Sequence, residues 1–252
     1  MSSSSKFLPP NVSWQLRLTR NDPSYGLILE AGETKKYNIV LLDLKLITRR
    51  VVPTPFALER YRNKLAVQDA IMDFKSGQMR SFQIPNSLTS MNIPNVATGP
   101  LPHSLIVTFV SANAFSGTSH QDVYKFEGFN LSSFNCKVSG QNVMASAYKP
   151  DFESGENLMY MYKELLQNTG YAFNSQSVDI SYEDFITNKF FIALDLSPDQ
   201  CNFAHNHPTQ VGDISFELSW DEALPQNIVC LVWMCYSSFV KINNYNQVEV
   251  KF

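Results

Sequence analysis

The chain has 252 residues, a formal charge of −3 and 44% hydrophobic residues, enough to bury a sizeable core in one large domain. Charged residues make up only 17% and aromatics 13%, a balance that suits strands and contact surfaces and excludes a disordered chain. The basic residues are scattered, densest at 45–50 and 60–64, so no stripe marks sequence-specific nucleic-acid binding.

Residues 1–8 lack the apolar core of a signal peptide and read as a flexible tail before a single domain over 9–252. Strict alternation over 12–20, with Val12, Trp14, Leu16 and Leu18 on one side, predicts a half-buried strand. The cluster Asn21-Asp22-Pro23-Ser24 ends it in a turn. A long stretch rich in β-branched residues over 36–52 predicts another strand, closed by Pro53-Thr54-Pro55. Thr54 is then the N-cap, and Pro55 the first residue, of a helix reaching about Ala66, with Phe56, Leu58, Tyr61 and Leu65 near helical spacing.

Strands are next predicted over 71–75 and 78–84, joined as a hairpin by Ser76-Gly77, followed by a Pro- and Asn-rich loop over 85–102. A strand over 104–110 precedes an irregular stretch to about Tyr124, and 126–138 reads as strand. A short helix is predicted over 157–167, stopped by Asn168-Thr169-Gly170. The remaining strands fall at 190–196, 213–220, 228–236 and 239–250, the last with a turn at Asn243-Asn244. The expected fold is all-β: an antiparallel jelly-roll sandwich of about eight to ten strands with two short inserted helices.

The run 228–236 is the longest apolar stretch, about half of what a membrane helix needs, so no membrane partner is expected. Cys136, Cys201, Cys230 and Cys235 are expected as free thiols of a protein that is not secreted.

Five segments in order carry a resemblance. They are Gly99-Pro-Leu-Pro-His103 leading into a strand, Val110 to Gly117 with Asn113-Ala-Phe-Ser-Gly117, Lys149-Pro-Asp-Phe-Glu153 followed by the Tyr162-to-Gly170 helix end, the box Leu194-Asp-Leu-Ser-Pro-Asp199, and the strand and turn from Gly212 to Leu224. Together they resemble the hexon-like major capsid proteins of Maverick/Polinton elements and adintovirus-like viruses, and the resemblance spans roughly 9–242. That family has a double jelly roll, and the match places this chain at the second one. The resemblance implies a structural capsid subunit of a virion shell, assembled in the host cytoplasm or nucleus. Its partners would be copies of itself and a first jelly-roll domain or other capsid subunits. Within the shared motifs Asp195, Pro198, Asp199, Gly212, Glu217, Ala223 and Leu224 are expected to be structural determinants of turns and strands.

No catalytic constellation stands out. Gly-x-Ser-x-Gly and phosphate-binding glycine loops are absent, and the pairs Glu183-Asp184 and Asp221-Glu222 are adjacent, which on a strand points them to opposite faces. Cys201, His205 and His207, with Asp199 as nearest fourth ligand, fit no common zinc spacing and read as a loop. No enzyme activity, metal or cofactor is expected. Trp220, Trp233 and Phe190-Phe191 are expected in the core rather than as a stacking platform. The competing reading is a cytosolic β-sandwich binding module of lectin or TNF-like character, which would need one concave site with convergent polar and aromatic groups.

Overall fold

The computed structural model describes residues 13, 15–21, 23–29, 33, 37–118, 120–172, 178–198, 208–245 and 247–251. Among these residues, nine strands lie in two antiparallel sheets. They are β1 (Ala70–Ile84), β2 (Ser90–Pro100), β3 (Ser104–Ser111), β4 (Leu131–Val138), β5 (Gln141–Asn142), β6 (Ile192–Asp195), β7 (Val211–Trp220), β8 (Ile228–Ile242) and β9 (Val248–Lys251). The larger sheet runs β1-β8-β3-β6, with β9 also paired to β8, and the smaller runs β2-β7-β4-β5.

The pairing has a simple rule. First pairs with eighth, second with seventh, third with sixth and fourth with fifth. A long antiparallel ribbon folded once has those four ladders. Rolling it into two layers adds β3 against β8 and β4 against β7. This is the jelly roll expected from the sequence.

The inner faces meet in one core. Leu105, Val107, Phe109, Cys230, Val232 and Met234 come from the larger sheet, and Ile93, Phe134, Cys136, Ile214, Phe216 and Leu218 from the smaller. Phe109 of β3 and Trp220 of β7 close the gap edge to face, their ring centroids 6.3 Å apart. Alternation on β7 works as read from the sequence: Ile214, Phe216, Leu218 and Trp220 are buried, with Ser215, Glu217 and Ser219 between them less so.

The described residues form four α-helices, two more than expected: α1 (Pro55–Val67), which precedes β1, and α2 (Ala112–Phe115), α3 (Leu158–Asn168) and α4 (Tyr182–Thr187), inserted between strands. Thr54 caps α1 by accepting from the Ala57 amide, and Pro55 opens it, as expected. α3 buries Leu158, Met161 and Leu165 on one face, and the left-handed Gly170 follows its end. The six-residue α4 is held by a capping box, Ser181 with Asp184, and sends Phe185 into the core against Phe190 at 5.4 Å. No helix among the described residues is long and apolar enough to cross a membrane.

Several expectations fail, each for a physical reason. Ser76-Gly77 is no hairpin: β1 runs unbroken for 15 residues and pairs with β8 throughout. Residues 85–102 are not all loop, because β2 occupies most of them. Its Pro94 and left-handed Asn95 sit in a bulge between Ile93 and Ala97, where no ladder bond is needed. Strand does not begin at residue 126; Phe126 makes a lone parallel bridge to Lys189, and Phe129 and Asn130 are left-handed. β8 continues past Ser237, and the buried Ser238 shares a 2.8 Å hydrogen bond between hydroxyls with Ser76. The described residues of 13–20 and 37–54 form no strand, and their apolar side chains stand exposed. Alternation alone does not make a strand without a neighbour to bury its apolar face.

Candidate assembly surface

The outer face of the larger sheet is built by register. Directly opposite residues of an antiparallel pair share a face. Met79 on β1 lies opposite Trp233 on β8, and Trp233 lies opposite Ile106 on β3, giving a three-strand apolar row. Flanking rows are Ser81–Leu231–Thr108 and Gly77–Cys235–Ser104. Trp233 keeps 44% of its surface and Met79 59%, although both lie on a well-paired sheet. The indole Nε1 of Trp233 donates to Cys235 Sγ at 3.1 Å, which tilts the ring toward residue 77.

One end of this face is already covered. Val110, Ala114 and Val229 form a small buried cluster under α2, flanked by Phe115, Phe126 and Leu231. Phe126 packs on Phe191 with centroids 5.1 Å apart, and the Lys189 ammonium stands 5.6 Å over the Phe126 ring. At the other end Lys241 and Asp69 form a 2.9 Å ion pair, which holds the Lys241 ammonium above its ordinary value. The open patch therefore lies between a capped end and a charged end.

A second feature is a groove of about 550 Å³ between the loop after β5, α3 and the end of β6. Tyr148 and Tyr160 line it with centroids 6.2 Å apart. Burial, then the nearby Glu164 and Tyr160, push the Tyr148 hydroxyl well above its ordinary pKa. Two of its polar side chains are engaged in the fold: Asn168 donates to the Ala193 carbonyl at 2.7 Å, and Asp195 Oδ1 accepts from the Ser197 amide and hydroxyl at 2.8 and 2.6 Å.

The motif residues singled out from the sequence lie in three separate places. Asp195 closes a turn after β6, with exposed Pro198 beyond it; Asp199 lies outside the described residues. Gly212 pairs with Gly99, and a Cβ there would stand 2.6 Å from the Ser139 hydroxyl. Glu217 takes a 3.1 Å bond from Asn135 and a 2.5 Å contact from Lys137, and these, Lys137 first, hold its carboxyl below the usual range. Ala223 is exposed, whereas Leu224 is buried and exchanges backbone bonds with Ser87 and Leu88. Cys201, His205 and His207 lie outside the described residues, among which no three His, Cys, Asp or Glu side chains are placed to hold a metal.

Sequence reasoning put Trp233 in the core with Trp220 and Phe190; the latter two are buried, and Trp233 is on the outside. Val232, Trp233 and Met234 are all apolar, so alternation gives no sign of which face each takes.

No family model and no curated protein matches the chain. Solved structures similar to it include chains of viral capsids. A chain of the Sputnik virophage aligns with 73% of this protein at 12% identity and a TM-score of 0.45. The Faustovirus major capsid protein aligns with 74% at 9% identity and 0.43, and the mavirus major capsid protein with 73% at 9% and 0.39. This chain spans 39%, 36% and 42% of their respective lengths.

Proposed function

We propose that this jelly roll is a structural subunit of a virus-type capsid, of the kind built by Maverick/Polinton elements and adintovirus-like viruses, with no catalytic role. Fold alone does not give function. The observation that carries the reading is the in-register row Met79–Trp233–Ile106 on the outer sheet face, with Met79 and Trp233 exposed. A half-exposed Trp with apolar neighbours on both sides is the composition of an interface centre, where Trp supplies most of the contact energy. The five motifs shared with the hexon-like family support the same role, as does the low charge content. Its partners would be copies of itself, a first jelly-roll domain or other capsid subunits, and its place the virion shell.

Particle size measured by light scattering at rising concentration, with negative-stain imaging, tests the reading. Large assemblies that collapse to small species in Trp233→Glu are expected. A wild type that stays monomeric at high concentration, alone and with a supplied first jelly-roll domain, would overturn it.

The binding-module alternative draws on the groove lined by Tyr148 and Tyr160. Asn168 and Asp195 there are engaged in holding the fold, which leaves fewer groups to orient a ligand.

A further inference from the structure

Charge is unevenly divided along the chain. Residues 1–68 carry eleven Lys and Arg against five Asp and Glu, whereas 69–252 carry nine against eighteen. Eight of the eleven fall between 35 and 64, with only Asp43 and Glu59 among them. Lys45, Arg49, Arg50, Arg60, Arg62 and Lys64 are all exposed. Lys45 meets Asp43 at 2.6 Å, and no ion pair among the described residues engages the other five. The same stretch holds exposed apolar side chains: Leu42, Leu44, Ile47 and Val52 are 93%, 69%, 90% and 92% exposed. On α1 the two kinds of residue share a face. Leu58, Tyr61 and Leu65 are its buried or half-buried side chains, spaced three and four apart. Phe56, Arg60 and Lys64, four apart, and Val67, three further on, lie on the opposite side and are exposed.

We propose that residues 39–64 bind the surface of an anionic phospholipid bilayer. Apolar side chains enter the boundary between headgroups and acyl chains, and the arginines and lysines meet lipid phosphates, their stems lying along the apolar surface. A cluster of about four to eight basic residues is what draws a segment to an acidic leaflet.

Charge and apolarity together select this partner. Nucleic acid would satisfy the cations and leave Leu42, Ile47 and Val52 in water. An apolar protein face would cover those residues and strand the cations without counter-charge. An anionic bilayer takes both. The acidic excess of 69–252 is repelled by the same surface, which leaves this segment to face the lipid. No helix among the described residues is long and apolar enough to cross a membrane, but lying on its surface requires no such helix. The inference does not depend on whether the protein builds a shell.

Vesicle co-sedimentation tests it with the full chain. Vesicles of phosphatidylcholine alone are compared with vesicles of phosphatidylcholine and phosphatidylserine in equal amounts. Binding to the mixed vesicles, little to phosphatidylcholine alone, and release at high salt are expected. Each basic residue is worth roughly fivefold in partitioning to an acidic surface, so Arg49→Gln, Arg50→Gln and Arg60→Gln together should weaken binding on the order of a hundredfold. All three side chains are exposed, so Tm should stay unchanged. A polarity-sensitive fluorophore on Leu42→Cys, in a Cys201→Ser, Cys235→Ser background, should brighten and shift to the blue on the mixed vesicles. No binding, equal binding to both vesicles, or binding untouched by the three substitutions would overturn the proposal. So would a fluorophore that stays in water while the protein binds duplex DNA more tightly than vesicles, which marks a nucleic-acid surface. A blue shift on concentrating the protein without vesicles would also overturn it, marking a second copy as the occupant. Particles that form without vesicle binding leave the capsid reading standing and sink this one; vesicle binding by a protein that forms no particles does the reverse.

Discussion

The Trp233 indole lies across Gly77 on the neighbouring strand so closely that a Cβ at residue 77 would stand 2.1 Å from Cζ2. At Gly77 the absence of a Cβ makes room for a side chain passing over it, in the middle of a paired strand and not at a turn. Gly77→Ala must displace the ring, which is half-exposed and free to swing outward. The expected result is a red shift of Trp233 emission, read in a Trp14→Phe, Trp220→Phe background. A fall in Tm of a few degrees should accompany it, corresponding to about 1 kcal/mol.

Phe216→Ala should be far more damaging. The ring is fully buried between the sheets, with Phe134 at 5.2 Å. Truncating such a residue costs about 3–5 kcal/mol, much of a domain's stability. A urea titration should show a clearly lower midpoint at unchanged slope.

Glu217 links the fold to pH. Its carboxyl is held below its ordinary 4.5 by Lys137 and Asn135, so the folded state favours the charged form. That contribution is fully present above the unfolded value and disappears as pH falls through the lower folded one. The side chain is 45% exposed, so the effect belongs with surface pairs, at most about 1 kcal/mol. Glu217→Gln should flatten the acid limb of a Tm-against-pH curve below about pH 4.5 and leave Tm near pH 8 changed far less than Phe216→Ala does.

Thiol labelling separates the cysteines by depth. Burial pushes the Cys136 thiol up to about 12 and Cys230 higher still, so neither forms thiolate at neutral pH. Cys235 sits half-buried on the outer face. In a Cys201→Ser background at pH 8, a thiol reagent should label Cys235 in the native protein. Cys136 and Cys230 should react only after denaturant is added.

The strands that could be read from sequence share one property: each fills the core from a run with no competing signal. β3, β7 and the first half of β8 are of this kind, as is α1, with its Thr54-Pro55 start. β2 was hidden because Pro94 and Asn95 look like a loop, and only the β7 partner shows that they form a bulge. The pair Ser76-Gly77 has turn chemistry that a remote Trp overrides. The outward face of Trp233, and hence the apolar row, was illegible because β8 is apolar on both sides. Residues 37–52 carry a strand pattern yet form no strand among the described residues.

The nested ladders also set a schedule for synthesis. Ala70 pairs with Ile242 and Ile84 with Ile228, so β1 finds no mate in its own sheet until nearly the whole chain exists. At roughly 5–20 residues per second that wait lasts on the order of ten to thirty seconds. Loop closure over such separations is slow even once the partner has emerged. Throughout that interval β1 lacks its β8 partner, and the apolar stretch at 37–52 has already been synthesised. On a ribosome crowded with sister chains, premature pairing between nascent copies is the hazard this topology must survive, which makes it a natural client for chaperones that shield strands during translation.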